Sequence, residues 1–247
     1  MKAVKLIRPV VLAASLISAA SMTQAEEFSK SEIEEIVHEY ILEHPEIIAE
    51  AIHKLQTKAE QEKAQKEAES LQKMTDMLIN NATDPVGGNP EGSITIVEFF
   101  DYNCGYCKRA NDTLQALIAD NPDLKVVYKE WPILSESSGI AARIALAANL
   151  VYPEKYEELH RALLSTRSIR SESDVWKIIE QLELDKAEVE AKLNDESIEK
   201  HISETGYLAQ QLGITGTPAF VVGGRILKGA YPQADIQKAI DEARDSE

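Results

Sequence analysis

Two cysteines separated by only two residues constrain this chain more than any other feature. Cys104 and Cys107, with Gly105 and Tyr106 between them, are its only cysteines. A disulfide that closes so small a loop removes little entropy from the unfolded chain, so it is a poor structural staple. The preceding residues, 93–100, are rich in β-branched and aromatic side chains, which predicts a buried strand. The pair is therefore better explained by redox chemistry at the end of a strand than by architecture.

The residues after the cysteine pair continue a strand–helix–strand pattern. Leu114, Leu117 and Ile118 repeat at helical spacing, Asn121-Pro122 ends the helix, and residues 124–129 form a second apolar run. Two strands joined by a crossover helix pair in parallel. We therefore expect a βαβ unit with the cysteine pair at its first strand-to-helix junction.

The rest of the chain predicts an α/β domain interrupted by helices. Residues 138–211 show only helical patterns. Strands return at 219–222 and 225–228, and Gly223-Gly224 between them is a strong hairpin signal. A closing helix is predicted over residues 233–244. The expected division of this part is 93–134 and 212–247 for the two parts of the α/β domain, with an all-helical subdomain at 135–211 inserted between them.

The position of the cysteines predicts different roles for them. A cysteine at a helix N-terminus lies near unpaired N–H groups and the positive end of the helix dipole, which favour its thiolate. The pKa of Cys104 should therefore fall below the ordinary value of about 8.5. We expect Cys104 to be the exposed nucleophile and Cys107, one turn on, to be the buried resolving thiol of a mixed disulfide.

Metal binding is the main alternative for such a pair. A structural zinc site needs four ligands, and the chain has no second cysteine pair. The histidines show no ligand spacing and mostly lie in polar helical segments, which predicts solvated or capping side chains; they are His38, His44, His53, His160 and His201. We therefore predict no metal site, although Cu(I) binding by the two thiolates stays open.

Two motifs together resemble a known family. SITIVEFFDYNCGYC, the helical block and GITGTPAFVVGG resemble the DsbA-like branch of the thioredoxin superfamily over residues 85–247. The resemblance implies a thioredoxin fold with the inserted helical subdomain. It also implies that the Thr217-Pro218 bond is cis, that it packs beside Cys104, and that the backbone of Thr217 pairs with an extended substrate peptide.

The same resemblance gives a role to a carboxylate. Glu98 corresponds to a partly buried acid that helps proton transfer to and from Cys107, and its setting between Val97 and Phe99 favours burial over an exposed strand face. Gly105 and Tyr106 tune the redox potential and differ from the Pro-His pair of strongly oxidising members. The choice between oxidant and reductant therefore stays open.

The region before the α/β domain predicts an oligomerisation stalk. Residues 26–80 carry apolar series that alternate spacings of four and three, as a coiled-coil seam does. Because a lone charged helix buries nothing, we favour self-association through residues 29–78 over packing on its own domain. Residues 60–67 are almost wholly polar and predict a solvated helical linker, rigid or hinged, and the turn-forming residues 81–92 predict a second linker. This stalk resembles the oligomeric suppressor-of-copper-sensitivity (ScsC-like) disulfide isomerases.

The first 25 residues predict a cleavable signal peptide. An apolar run at residues 10–20 is too short to span a bilayer, Thr23-Gln24-Ala25 offers small residues for cleavage, and the run follows three basic residues, Lys2, Lys5 and Arg8. We therefore predict export to the periplasm. The formal net charge of −16 argues against nucleic acid as a partner.

These observations together predict an exported thiol–disulfide oxidoreductase, with isomerisation or reduction ahead of a DsbA-type dithiol oxidase. No cofactor is expected beyond the redox-active Cys104–Cys107 disulfide. The expected partners are unfolded or misfolded exported proteins, further copies of the chain, and a membrane redox protein of the DsbD/ScsB or DsbB type. Two alternatives from other classes stay open: a periplasmic Cu(I)-binding protein and a holdase chaperone.

Overall fold

A computed structural model describes residues 28–245 of the chain. The predicted signal peptide, residues 1–25, lies outside the described residues. The described residues divide into two compact units, with the boundary between Thr57 and Lys58. Among residues 28–245, no helix is both long and apolar enough to cross a bilayer.

The first unit is helical. Helix α1 (Lys30–Glu43) begins at a capping box, in which the Ser29 hydroxyl accepts from the Glu32 N–H and the Glu32 carboxylate accepts from the Ser29 N–H. Helix α2 (Glu46–Ile79) starts directly after Pro45 and continues into the second unit. Seven apolar side chains of the first unit, which we call the apolar face, are 44–68% exposed: Ile33, Ile36, Val37, Tyr40, Ile48, Ile52 and Leu55.

A five-stranded sheet forms the centre of the second unit. Its order is β1-β3-β2-β4-β5. Only β2 and β3 pair in parallel, with Glu98 opposite Tyr128, and the other neighbours are antiparallel. The strands are β1 (Val86–Gly88), β2 (Ile94–Phe100), β3 (Leu124–Glu130), β4 (Ala219–Val222) and β5 (Arg225–Lys228). Because helix α3 (Gly105–Asp120) connects β2 to β3, the predicted βαβ unit is confirmed.

The predicted hairpin between β4 and β5 is also confirmed. Gly223 and Gly224 have φ values of +54° and +75°, the left-handed conformation that a two-residue hairpin turn of this kind requires. A Cβ on Gly223 would lie 2.6 Å from the Ala243 side chain, so this position also needs glycine for close packing.

Helices cover the sheet as the sequence predicts. The inserted helices follow β3 and precede β4: α4 (Glu136–Val151), a 3₁₀ turn (Pro153–Lys155), α5 (Tyr156–Ser165), α6 (Glu172–Gln181), α7 (Lys186–Glu190) and α8 (Glu196–Gln211). Helix α9 (Gln233–Arg244) closes the chain at the predicted residues. The larger core includes side chains of α3, the insertion and α9 together with one face of the sheet.

The other face of the sheet is covered in part by the end of α2, contrary to prediction. Leu71 and Leu78 are 6% and 3% exposed and belong to one apolar cluster with Val97, Phe99 and Leu208. The expectation of self-association over residues 29–78 is therefore wrong for these two positions, because the sheet itself supplies the apolar partner. The polar residues 60–67 lie within the uninterrupted helix α2.

The segment 81–92 also differs from the expected linker, because it contains strand β1. Val86 lies opposite Val127 at the edge of the sheet, and Asp84 is buried just before it. A strand of three residues with two glycines is too short for an alternating pattern to be visible in the sequence.

Candidate active site

Cys104 is the N-cap residue of α3, directly after the turn that follows β2. Its backbone is extended (φ −73°, ψ 114°), and its Sγ accepts a hydrogen bond from the Cys107 N–H at 3.3 Å. Asp101 holds this turn: its carbonyl accepts from the Cys104 N–H, and its carboxylate accepts from the N–H groups of Asn103 and Ile133. The sequence therefore presents a thiol to the unpaired N–H groups of a helix N-terminus, as predicted.

The peptide bond between Thr217 and Pro218 is cis and lies against this thiol, as the resemblance implies. In its protonated form, the Cys104 Sγ donates a hydrogen bond to the Thr217 carbonyl at 3.2 Å. A shallow cavity of about 310 Å³ lies alongside, and its lining includes Tyr106, Thr217, Pro218 and Gly229. A disulfide-bearing peptide could therefore approach Cys104 along the Thr217-Pro218 segment.

Cys104 is more buried than the sequence suggests. It is 5% exposed, whereas Tyr106 is 60% exposed with the Arg109 guanidinium 4.2 Å from the centre of its ring. The expectation of an exposed nucleophile is therefore wrong for the residue as a whole. The cause is tertiary: the Thr217 carbonyl comes from the other end of the domain and contacts the sulfur, which a local pattern cannot reveal.

The pKa values of the two thiols are shifted in opposite directions. The pKa of Cys104 is lowered to about 5, first by its hydrogen bond with the Cys107 side chain and further by the N–H groups of Cys107 and Tyr106, against the opposing effect of burial. The pKa of Cys107 is raised, first by burial, then by its hydrogen bond to Cys104 and by the negative charge of Glu98. One reactive thiolate and one thiol that holds its proton result from this arrangement.

Glu98 lies in the middle of β2 and is fully buried, which confirms the interpretation from its apolar neighbours. Burial raises its pKa from 4.5 to about 8, and the negative charge of Cys104 adds to the shift. Neither carboxylate oxygen has a hydrogen-bond partner in the part of the chain that the structure describes. A buried carboxyl that titrates near neutral pH is well suited to proton transfer.

His160 was missed as a site residue. It is fully buried in α5, and its Nε2 lies 3.7 Å from the Glu98 Oε2. Burial lowers its pKa from 6.5 to about 3, so the imidazole is neutral. Its position four residues after Tyr156 and four before Leu164 is on the apolar face of α5, a signal that the sequence did contain.

His201 is also buried, so the expectation of solvated or capping histidines is wrong for His160 and His201. Its Nε2 accepts from the Glu130 N–H at 3.2 Å, which leaves its ring proton on Nδ1, 3.2 Å from the Asp84 Oδ1 without the alignment of a hydrogen bond. The other oxygen of Asp84 pairs with Lys129, whose Nζ also donates to the Met77 carbonyl at 2.6 Å. This polar cluster ties the segment before β1 to β3.

No group of three or more His, Cys, Asp or Glu side chains within residues 28–245 is arranged to hold a metal ion.

Comparison with known families gives two matches. Residues 95–241 match the DSBA-like thioredoxin domain, and residues 30–62 match the N-terminal domain of the copper resistance protein ScsC. The first match includes every candidate site residue and the helical insertion. The second covers the apolar face and the start of the polar stretch of α2.

Solved structures of similar proteins cover both regions. A thioredoxin-like oxidoreductase from Silicibacter pomeroyi is 43% identical, with a TM-score of 0.66, and the match covers 69% of this chain and 97% of that one. ScsC of Proteus mirabilis in a transitional conformation is 30% identical, with a TM-score of 0.67, over 88% of this chain and 95% of that one.

A match among curated proteins covers only part of a longer chain. The Na(+)/H(+) antiporter NhaA 3 of Salinispora tropica is 28% identical over 161 residues, which are 65% of this chain. The match spans 24% of the antiporter's length.

Proposed function

Because the chain belongs to the family of DSBA-like thioredoxin domains, we propose that it catalyses thiol–disulfide exchange in exported proteins through Cys104 and Cys107. The observation that carries the proposal is the opposite protonation of the two thiols. One sulfur is a thiolate below neutral pH, and the other keeps its proton until it is needed. A Cu(I) chelator needs no such difference between its two ligands, whereas a nucleophile and a resolving thiol do.

The residues divide the exchange reaction into two steps. The Cys104 thiolate attacks a substrate disulfide, forms a mixed disulfide, and releases one substrate sulfur as a thiolate. Cys107 then gives its proton to the Glu98 carboxylate and attacks the Cys104 sulfur. The mixed disulfide breaks, the second substrate sulfur leaves, and a Cys104–Cys107 disulfide remains. Two electrons pass from the enzyme thiols to the substrate, and the reverse sequence oxidises a substrate dithiol.

The segment beside Cys104 positions the substrate. In this proposal the backbone of Thr217 pairs with an extended peptide, and Pro218 holds that segment against the sulfur. The adjoining cavity and the exposed ring of Tyr106 support this role. Gly105 and Tyr106 set the redox potential, because both lie in the first turn that stabilises the Cys104 thiolate.

We further propose isomerisation or reduction as the main activity, with dithiol oxidation as the alternative. The apolar face of the first unit supports this, since a large number of exposed apolar side chains on neighbouring helical segments is typical of an interaction site. Self-association through that face would let several active sites act on one misfolded protein. Export to the periplasm and exchange with a membrane redox protein of the DsbD/ScsB or DsbB type complete the proposal.

The test is reactivation of a protein with scrambled disulfides by the chain from residue 26 onward. We expect reactivation by the wild type and none by Cys104→Ser, whereas a holdase would keep its activity in that variant. Ile36→Glu, on the apolar face, should lose reactivation while still reducing a small disulfide peptide, and Glu39→Gln on the same helix serves as its matched control. Oxidation of a dithiol peptide without any reshuffling would establish the oxidase alternative instead.

A further inference from the structure

Two titratable side chains lie side by side in the core without a hydrogen bond. Both oxygens of Glu98 and both ring nitrogens of His160 are buried and lack a partner within the described region. Each unpaired buried polar group costs about 1–3 kcal/mol, so such groups in a native protein require an explanation. The pair lies behind the reactive cysteines, which makes a role in the exchange reaction the first explanation to consider.

The surroundings of His160 fix the plane of its ring. The ring centres of Phe100 and Tyr128 lie 4.5 and 4.4 Å from that of His160. The 3.7 Å between the His160 Nε2 and the Glu98 Oε2 is slightly longer than a hydrogen bond, and a small rotation of the Glu98 side chain would close it. The rings of Phe100 and Tyr128 therefore hold the His160 Nε2 facing the Glu98 Oε2.

The other ionisable groups around the pair do not compete for this contact. The hydroxyl groups of Tyr102 and Tyr156 donate hydrogen bonds to the Glu130 carboxyl oxygen. Burial raises the pKa values of Tyr102, Tyr156 and Tyr128, so all three stay neutral. At the N-terminal end of α3, the charge of Cys104 raises the pKa of Glu98, and the charge of Glu98 raises the pKa of Cys107.

We propose that His160 is a positioning residue whose Nε2–H donates a hydrogen bond to the Glu98 carboxylate and so favours the ionised form that accepts the Cys107 proton. This inference rests on the proposed function. A neutral imidazole has one N–H to donate, and burial keeps this imidazole neutral. A hydrogen bond to the charged form of a carboxyl favours that form. His160 therefore opposes the burial that disfavours the charge of Glu98.

The proton balance involves no other reactant. The Cys107 proton moves to Glu98, the Cys107 thiolate forms the new S–S bond with Cys104, and the electron pair of the broken mixed disulfide leaves with the substrate sulfur. His160 keeps its own proton throughout. Without His160 the carboxylate would be left among apolar rings, and Glu98 would ionise only at higher pH.

The test follows the two exchange steps separately with a bis(nitrobenzoate) disulfide, which releases one coloured thiolate when Cys104 attacks and a second when Cys107 resolves the mixed disulfide. Rapid mixing across a pH series gives both rates for the reduced full chain. Burial and the Cys104 charge alone place the pKa of Glu98 near 8, so in the wild type, where the His160 N–H also acts on the carboxylate, the second rate should rise with a midpoint below pH 8. In His160→Phe we expect this midpoint to rise by about one unit or more, so that the second release near neutral pH slows about tenfold or more.

Three variants separate positioning from packing. His160→Gln keeps an N–H donor and should restore the wild-type midpoint, whereas His160→Leu, a second apolar replacement, should reproduce the shift seen with phenylalanine. Tyr128→Phe changes the same cluster without removing the donor and should leave the midpoint unchanged. The first release should be equal in all of them.

The outcomes distinguish the inference from the proposed function. An unchanged or lower midpoint in His160→Phe and His160→Leu, with a normal first release, would overturn the role of His160 alone. Failure of the wild type to give any thiolate release would overturn the exchange activity, and the role of His160 with it.

Discussion

Two polar clusters are buried around the central strands of one sheet, and each contains a histidine from the helical insertion. In the paired cluster, Asp84, Lys129 and His201 each have at least one hydrogen bond or ion pair. In the unpaired cluster, Glu98 and His160 lie 3.7 Å apart and have no side-chain hydrogen bond within the described residues. Every side chain of the first cluster therefore has at least one polar partner, although the Asp84 Oδ1 and the His201 Nδ1 lack a hydrogen bond, whereas the side chains of the second have no hydrogen bond.

The difference separates stability from reactivity. The paired cluster ties the segment before β1 to β3 and to α8, so its side chains are fixed in one arrangement. The unpaired cluster lies behind Cys104 and Cys107, where an acid that can gain or lose a proton is useful. Substitutions in the first should therefore lower the free energy of unfolding, whereas substitutions in the second should change proton transfer without lowering it substantially.

The largest effect is expected from removing the cation of the paired cluster. Lys129→Met leaves the buried carboxylate of Asp84 without its charge partner, which should lower the free energy of unfolding by about 3–5 kcal/mol. Denaturant titration measures this loss. Lys125→Met on the same strand is the control, because that side chain is half-buried, and its effect should stay within about 0.5 kcal/mol. Equal effects of the two substitutions would mean that the cluster does not stabilise the fold.

A smaller effect, of opposite sign, is expected from the acid of the unpaired cluster. The pKa of Glu98 is about 8 when folded and 4.5 in its ordinary state, so folding takes up a proton between these values and Glu98 destabilises the fold as pH rises through them. Glu98→Gln should therefore gain stability over the wild type by about 2–3 kcal/mol between pH 5 and pH 7. His160, whose pKa in the folded protein is about 3, stays neutral in this range. A difference that does not change with pH would contradict the raised pKa.

The two histidines allow the same substitution in both clusters. His201→Phe leaves the Glu130 N–H buried without an acceptor and should cost about 2 kcal/mol. His160→Phe removes nitrogens that have no described partner and should change the free energy of unfolding by less than about 1 kcal/mol. Thermal and denaturant unfolding at neutral pH compare the two variants. A larger loss for His160→Phe would reverse the assignment of the clusters.

The smallest effect is expected for single tyrosine hydroxyls. Tyr156 donates to Glu130 at 2.7 Å, so Tyr156→Phe should cost about 1 kcal/mol. The hydroxyl of Tyr128 is buried and has no hydrogen-bond partner among the described residues, so Tyr128→Phe should be neutral or slightly stabilising. The order of the two unfolding midpoints checks this expectation, and a lower midpoint for Tyr128→Phe than for Tyr156→Phe would contradict it.

Local signals in the sequence predicted most of the fold. The hairpin follows from Gly223-Gly224, because only a few residue types adopt the required φ values, and the βαβ unit follows from the apolar pattern on either side of the cysteine pair. Strand β1 was missed because three residues show no alternation. The burial of Leu71 and Leu78 was missed because a helical apolar series does not say which surface it contacts.

The site was predicted where its residues lie in motifs and missed where they meet through the fold. Cys104, Cys107 and Thr217-Pro218 belong to short motifs, and Glu98 follows from the strand next to them. His160 comes from a separate helix, and its contact with Glu98 depends on how α5 packs on β2. The apolar pattern of α5 indicates which of its side chains are buried, but it does not indicate which strand residue they contact.

The most direct test of the account is the pH dependence of alkylation of the reduced chain by iodoacetamide, with each cysteine followed by mass spectrometry. The account predicts that Cys104 reacts with a midpoint near pH 5 and that Cys107 stays unmodified through neutral pH, because their pKa values are shifted in opposite directions. Equal reaction of both cysteines, with a midpoint near the ordinary thiol value of 9.0, would contradict the assignment of a nucleophile and a resolving thiol.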